Sequence, residues 1–181
     1  MDEGERVRKV ARGDRAAFSE LAQAYMPAIE RYVLRLSADP FLAEDLAQDT
    51  LLKLWLQADQ FDPSRGRLTT WLHRIAHNLV RDSPRRSASW QSIEQRVEHA
   101  IGSDHDTAHD DPADGRSARV SASLMALPER QRSALVLSYY QDLSNREVAQ
   151  VMGVSVRALE SLLVRARLAL KRQLGVIDND R

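Results

Sequence analysis

Between Ala16 and Leu36 the apolar residues Phe18, Leu21, Tyr25, Ile29, Tyr32, Val33 and Leu36 recur at steps of three and four. That spacing puts side chains on one stripe of a helix. No stretch alternates polar and apolar residues long enough to suggest a strand. A chain patterned this way can bury its apolar surface only by packing helix on helix. Seven Gly and six Pro in 181 residues leave few points of interruption. Pro27 falls inside the first stripe and is expected to kink or split that helix. Asp39-Pro40 offers a cap and a first-turn proline for a helix over 40–58. After a loop from Phe61 to Arg67, a helix is expected from Leu68 to Asp82, ending near Pro84. Helices resume over 119–126, 128–141, 145–152 and 156–173. The expected fold is all-α, with two small helical domains over 1–86 and 119–175. An acidic flexible linker over 87–118 joins them, and a tail covers 176–181.

Basic and acidic side chains both number 26, so the formal net charge is zero. The balance conceals a segregation. Residues 98–115 carry six acidic and no basic side chains, whereas residues 116–175 carry ten basic against four acidic. Such an arrangement suggests a polyanionic partner for one part of the chain. The absence of cysteine excludes a disulfide scaffold, cysteine zinc sites, iron–sulfur clusters and thiol catalysis. No apolar run approaches the ~20 residues of a membrane span. Met1-Asp2-Glu3-Gly4-Glu5 lacks the basic-then-apolar order of a secretory leader, so a cytoplasmic protein is expected. His99, His105 and His109 lie among aspartates, but nothing preorganises them as ligands, and neither metal nor cofactor is expected. Trp90, Ile93, Val97 and Ile101 fall at helical spacing, so this part of the linker could form a helix on a partner or on the first domain.

Three helical faces carry the functional reading. In Asn145 to Leu162 the residues Val148, Ala149, Met152, Gly153, Val154, Leu159 and Leu162 occupy the positions of a helix-turn-helix. Ser144 with Glu147 forms a capping box, and Ser155 caps the second helix. That helix turns Leu159, Leu162, Leu163, Ala166 and Leu170 inward. Arg157, Glu160, Ser161, Val164, Arg165, Leu168 and Arg172 face outward, a mixture suited to phosphates, guanine edges and a thymine methyl. On the helix from Leu68, the stripe Leu68, Trp71, Leu72, Ile75 and Leu79 is expected inside. Arg74, His77, Asn78 and Arg81 project oppositely and Arg85 and Arg86 follow, a set suited to phosphate contact and an unstacked base. On 40–58, Asp45, Gln48, Asp49, Leu52, Lys53 and Trp55 lie away from the core, as in a protein-docking face with an apolar anchor and a polar rim.

Two blocks, Ala43 to Trp55 and Thr70 to Asn78, closely resemble region two of bacterial extracytoplasmic-function sigma factors. Leu127-Pro128-Glu129-Arg130-Gln131-Arg132, with the helix-turn-helix through Arg165-Ala166-Arg167, resembles their region four. The resemblance implies binding to RNA polymerase core and no catalysis. Asp45, Gln48, Asp49, Leu52 and Lys53 would dock on the clamp of the largest catalytic subunit, and region four would reach the flap of the second-largest. Phe61, Arg65, Arg67, Arg74, His77, Asn78, Arg81 and Arg85 would melt the −10 element of promoter DNA and capture a flipped base. Ser155, Arg157, Glu160, Ser161, Val164, Arg165 and Arg172 would read the −35 element. An anti-sigma protein is the implied inhibitor. Two other classes account for part of the sequence: a sigma mimic that binds an anti-sigma protein without touching DNA, and a conventional helix-turn-helix regulator. The first would leave the exposed Arg157 and Arg165 unexplained, and the second the face on 40–58.

Overall fold

The computed structural model of the chain describes residues 2–83 and 112–174. Pro84, Arg85, Arg86, the linker stretch from Trp90 to Ile101, the histidines His99, His105 and His109, and the tail lie outside the described residues. The order is α1 (Glu3–Ala11), α2 (Arg15–Ser37), α3 (Pro40–Gln57), a 3-10 turn (Ala58–Gln60) and α4 (Leu68–Asp82). A second group follows: α5 (Pro112–Met125), α6 (Glu129–Tyr140), α7 (Asn145–Met152) and α8 (Val156–Gln173).

Short polar side chains set the helix starts. Asp14 accepts from the Ala16 and Ala17 amides at 2.9 and 3.0 Å, opening α2. Asp39 does the same for Phe41 and Leu42 at 3.0 and 3.1 Å, with Pro40 in the first turn of α3. Ala38 ends α2 in the left-handed region (φ 53°), which turns the chain back so that α3 packs along α2. Of the two expected effects of Pro27, a split does not occur: α2 runs unbroken through it. A proline inside a helix costs ~3 kcal/mol. Burying several large side chains on either side of it, Leu21 before and Ile29, Tyr32 and Val33 after, outweighs that cost.

The sequence reading did not anticipate α1, whose apolar content is little more than the buried Val7 and Val10. Polar contacts hold it. Tyr25 donates its hydroxyl to Glu3, and the other Glu3 oxygen accepts from the Leu68 amide at 3.3 Å, at the N-terminus of α4. Burial and the adjacent Glu3 carboxylate push the Tyr25 phenol up to about 12, so it stays a donor.

The second group starts earlier than expected, with α5 helical from Pro112, inside the stretch read as linker. The two groups also pack on each other, α4 against α7 and α2 against α6. At the junction His73 is fully buried. Its Nδ1 lies 2.8 Å from the Thr69 carbonyl and its Nε2 lies 2.9 Å from the Gln141 carboxamide. Burial holds this imidazole below the usual histidine range, so it is neutral at neutral pH. With Nδ1–H donating to Thr69, Nε2 accepts from the Gln141 amide after a half-turn of that carboxamide. On α2, Arg35 stacks 4.2 Å above the Tyr140 ring.

Because the folded site refuses a proton that the unfolded chain takes up, His73 makes stability rise with pH below the usual histidine range. Chemical denaturation should show the wild-type chain losing stability relative to His73→Gln as pH falls from about 7 to about 5. Parallel losses in the two chains would exclude His73 as the titrating group.

Candidate nucleic-acid and protein-docking faces

On α3, Asp45, Gln48, Asp49 and Leu52 are exposed as expected, and Gln48 donates to Glu44 at 3.2 Å. The apolar character of this face is larger than the sequence reading suggested. Phe41 is 78 % exposed, Leu56 66 % and Leu52 52 %. Both additional residues continue the three-and-four spacing of Asp45, Gln48, Asp49 and Leu52, the signal that could have found them. Trp55 does not join this face. Its ring packs edge-on against Phe18, with centroids 5.2 Å apart, so it belongs to the bundle. Lys53 is half-buried and turns toward α4, where it lines a shallow cavity with Arg74 and Asn78.

The loop before α4 is shaped by its own side chains. Asp62 accepts from the Ser64 hydroxyl at 2.7 Å and from its amide at 2.9 Å, and these bonds hold its carboxyl below the usual range. Phe61 meets Trp71 edge-on, with centroids 5.9 Å apart. Between them and Arg74 lies a cavity of about 170 Å³, reached also by Arg65 and Arg67 of the loop and by Gln150 of α7. It falls well below the ~300–1,000 Å³ typical of small-molecule sites, a size suited to one planar ring between aromatic and guanidinium walls.

Along α4, Arg74, Asn78 and Arg81 are exposed, with Arg81 paired to Asp82 at 3.0 Å. His77 departs from the expectation. It is buried, and its Nδ1 lies 2.9 Å from the Tyr32 hydroxyl of α2. The buried face of α4 is turned toward Leu72, His73, Ala76, His77 and Val80, leaving Trp71, Ile75 and Leu79 only partly covered. The flank bearing Thr70, His73 and His77 looks solvent-facing by polarity alone, but α2 and the second group of helices cover it.

In the helix-turn-helix, Ser144 and Glu147 complete a capping box and Gly153 (φ 64°) makes the left-handed turn. Glu147 also accepts from the Thr70 hydroxyl at 2.9 Å, with Arg67 3.7 Å away. Burial works against this carboxylate, but the bonds from Ser144 and Thr70 and the Arg67 charge hold it below the usual range. Ser155 caps α8 by accepting from the Ala158 amide at 3.1 Å. Leu159, Leu163 and Ala166 are buried, whereas Arg157, Glu160, Ser161, Val164, Arg165, Leu168 and Arg172 are exposed. Arg167 is directed sideways, donating to the Tyr139 hydroxyl at 2.9 Å.

This is a helical protein of the helix-turn-helix DNA-binding class, carrying a second helical bundle with an exposed apolar row on α3. The family Sigma-70 region 2 matches residues 21–90, and Sigma-70, region 4 matches residues 117–170. The ECF RNA polymerase sigma factor RpoE of Cereibacter sphaeroides is 32 % identical, covering 88 % of this chain and 85 % of that protein. The ECF RNA polymerase sigma factor SigW of Bacillus subtilis is 28 % identical, covering 93 % and 95 %. The structure of CnrH in complex with the cytosolic domain of CnrY superposes with a TM-score of 0.72 at 27 % identity, over 96 % of this chain and 97 % of that one. The sigma factor RpoE of Bartonella quintana, in complex with the anti-sigma factor NepR, gives 0.64 at 26 % identity, over 91 % and 98 %. The chain belongs to the extracytoplasmic-function sigma factors, which direct RNA polymerase to promoters. Among the described residues no helix is long and apolar enough to cross a membrane.

His77 and Arg74 sit one turn apart on α4 in opposite environments. Replacing His77 with Ala removes a hydrogen bond of the buried Tyr32 hydroxyl and leaves a void, at a cost of about 2 kcal/mol. Arg74→Ala should stay within about 0.5 kcal/mol of wild type. Thermal unfolding of the two variants checks the contrast, and equal losses would return His77 to the surface set.

Proposed function

We propose that the three faces divide the work of a promoter-specificity subunit. The exposed row on α3, with Asp45, Gln48, Asp49 and Leu52 and the added Phe41 and Leu56, docks on the clamp of polymerase core. Carboxylates would meet a basic partner while the apolar residues are buried in it. The loop from Phe61 to Arg67 and the exposed side of α4, with Arg74, Asn78 and Arg81, take the opened non-template strand of the −10 element. Lys53 moves from the docking set to this one, because it shares a cavity with Arg74 and Asn78. His77 leaves the set, since its ring nitrogen meets Tyr32 inside the bundle. On α8, Arg157, Glu160, Ser161, Val164 and Arg165 read the −35 element in the major groove, and Arg172 meets phosphate further along. Ser155 acts by capping that helix. The chain works in the cytoplasm, contributes binding and no bond-making chemistry, and is held inactive by an anti-sigma protein. The Bartonella quintana structure supports the last point, as a sigma factor in complex with an anti-sigma factor.

The observation that carries this reading is the cavity between Phe61, Trp71 and Arg74, a cation beside two aromatic rings at the start of a basic helix face. Run-off transcription with purified core and a library of promoter sequences tests the whole of it. Transcripts should arise from a restricted set of sequences, and unselective or absent transcription refutes it. In the same assay Arg165→Ala should cost about 1–3 kcal/mol on preferred −35 sequences and flatten the ranking. Arg172→Ala should weaken all sequences alike and lower the salt slope by about one.

A competition assay for core checks the docking face. Asp49→Arg combined with Leu52→Ala should lose about 1–2 kcal/mol of affinity or more, with helical content unchanged. Unaltered affinity would remove this face from the interface.

A further inference from the structure

The loop that borders the cavity between Phe61, Trp71 and Arg74 is tied down at its start and in its middle by its own neighbours. Phe61 donates its amide to the Ala58 carbonyl at 3.3 Å, and Asp62 holds Ser64. At the far end Arg67 starts α4 with no side-chain cap. The missing acceptor comes from a residue 65 positions away in the chain. Glu3, in the first turn of α1, accepts from the Leu68 amide at 3.3 Å through Oε2 and from the Tyr25 hydroxyl through Oε1. A carboxylate there satisfies one of the amides that a helix start leaves open and meets the positive end of the helix dipole.

The next residue of α1 meets the loop itself. Gly4 is buried, and a side-chain carbon there would stand 3.3 Å from both Cβ and Cγ of Pro63. Glycine favours a helix less than alanine does, but here its small size lets Pro63 come close. The loop therefore rests on the first turn of α1 at two points, its middle at Pro63 and its end at Leu68.

We infer that Glu3 and Gly4 are positioning residues for the opened-strand site: the first turn of α1 sets the loop so that Phe61, Arg65 and Arg67 stand around the cavity before a strand arrives. This deepens the reading of that cavity as the −10 site and rests on it. Neither residue is among those lining the cavity, so both act through the loop. A loop already in its bound shape loses less freedom on binding, and the saving appears as affinity. Core docking through α3 and duplex contact through α8 use other faces and do not depend on it.

The test uses the full chain and a fluorescent pool of randomised single strands about twelve nucleotides long, with core affinity and duplex binding measured alongside. Glu3→Ala should weaken strand binding about tenfold and leave the other two readouts unchanged. Glu3→Gln should stay within about twofold of wild type, because a carboxamide can accept from Leu68 and donate to Tyr25. The chain contains no cysteine of its own, so a disulfide can stand in for the lost contact. Gly4→Cys with Pro63→Cys brings two Cβ atoms close to the ~3.8 Å spacing of a disulfide. In the Glu3→Ala background, this bond should restore strand binding when oxidised and lose it again when reduced. Should circular dichroism show that Glu3→Ala melts α1, Gly4→Leu takes its place. That variant keeps Glu3, suits a helix better than glycine and displaces Pro63, so strand binding should fall while helical content does not. Unchanged strand affinity, or no recovery in the oxidised chain, overturns the positioning role. If Arg74→Ala still loses strand binding in that case, the cavity reading stands. If Arg74→Ala binds strands as wild type does, the cavity reading falls and the positioning role falls with it.

Discussion

The packing of α4 depends on satisfying polar atoms that no apolar stripe would predict. Two imidazoles and a threonine hydroxyl lie buried along one flank of this helix. Each must find a partner or cost about 1–3 kcal/mol. His77 finds the Tyr32 hydroxyl on α2, His73 finds the Thr69 carbonyl and Gln141, and Thr70 finds Glu147. These partners fix which way the helix is rotated. The rotation in turn decides that Trp71 and Arg74 face the loop and that Asn78 faces out. The exposed surface of α4 is what remains once the histidines have been accommodated.

This explains where sequence reasoning succeeded and where it stopped. The helices with strong periodicity or a plain cap were legible: Asp39-Pro40 announces α3, and Ser144, Glu147 and Gly153 announce the helix-turn-helix. The outward set on α8 was also legible, because its neighbours Leu159, Leu163 and Ala166 leave only one face for the arginines. On α4 the same logic misplaced His77, since polarity is a guide to exposure only when no other polar group waits inside. Trp55 was misjudged for a related reason. Helical projection placed it outside, but Phe18 extends the bundle far enough to cover it. The first helix escaped notice because Glu3, reaching Tyr25 and the start of α4, holds it as much as its apolar residues do. Packing of the two halves on one another could not be read at all, because it joins residues far apart in the chain.

The junction adds polar contacts to a buried apolar set that draws leucine and valine side chains from both groups. Across the junction the specific contacts are a carboxylate on a hydroxyl, a carboxamide on an imidazole and a guanidinium over a phenol ring. Interfaces between domains of one chain are commonly more polar than obligate ones, and relative motion is the ordinary expectation for them.

The row of Phe41, Leu52 and Leu56 on α3 has a practical meaning of its own. Exposed apolar side chains gathered on one face leave water to surround them whenever nothing else does, and such patches favour association with whatever is at hand. On the docking role proposed for this row, polar replacements that improve the behaviour of the isolated protein would also remove contacts with its partner, a trade between stability in solution and activity.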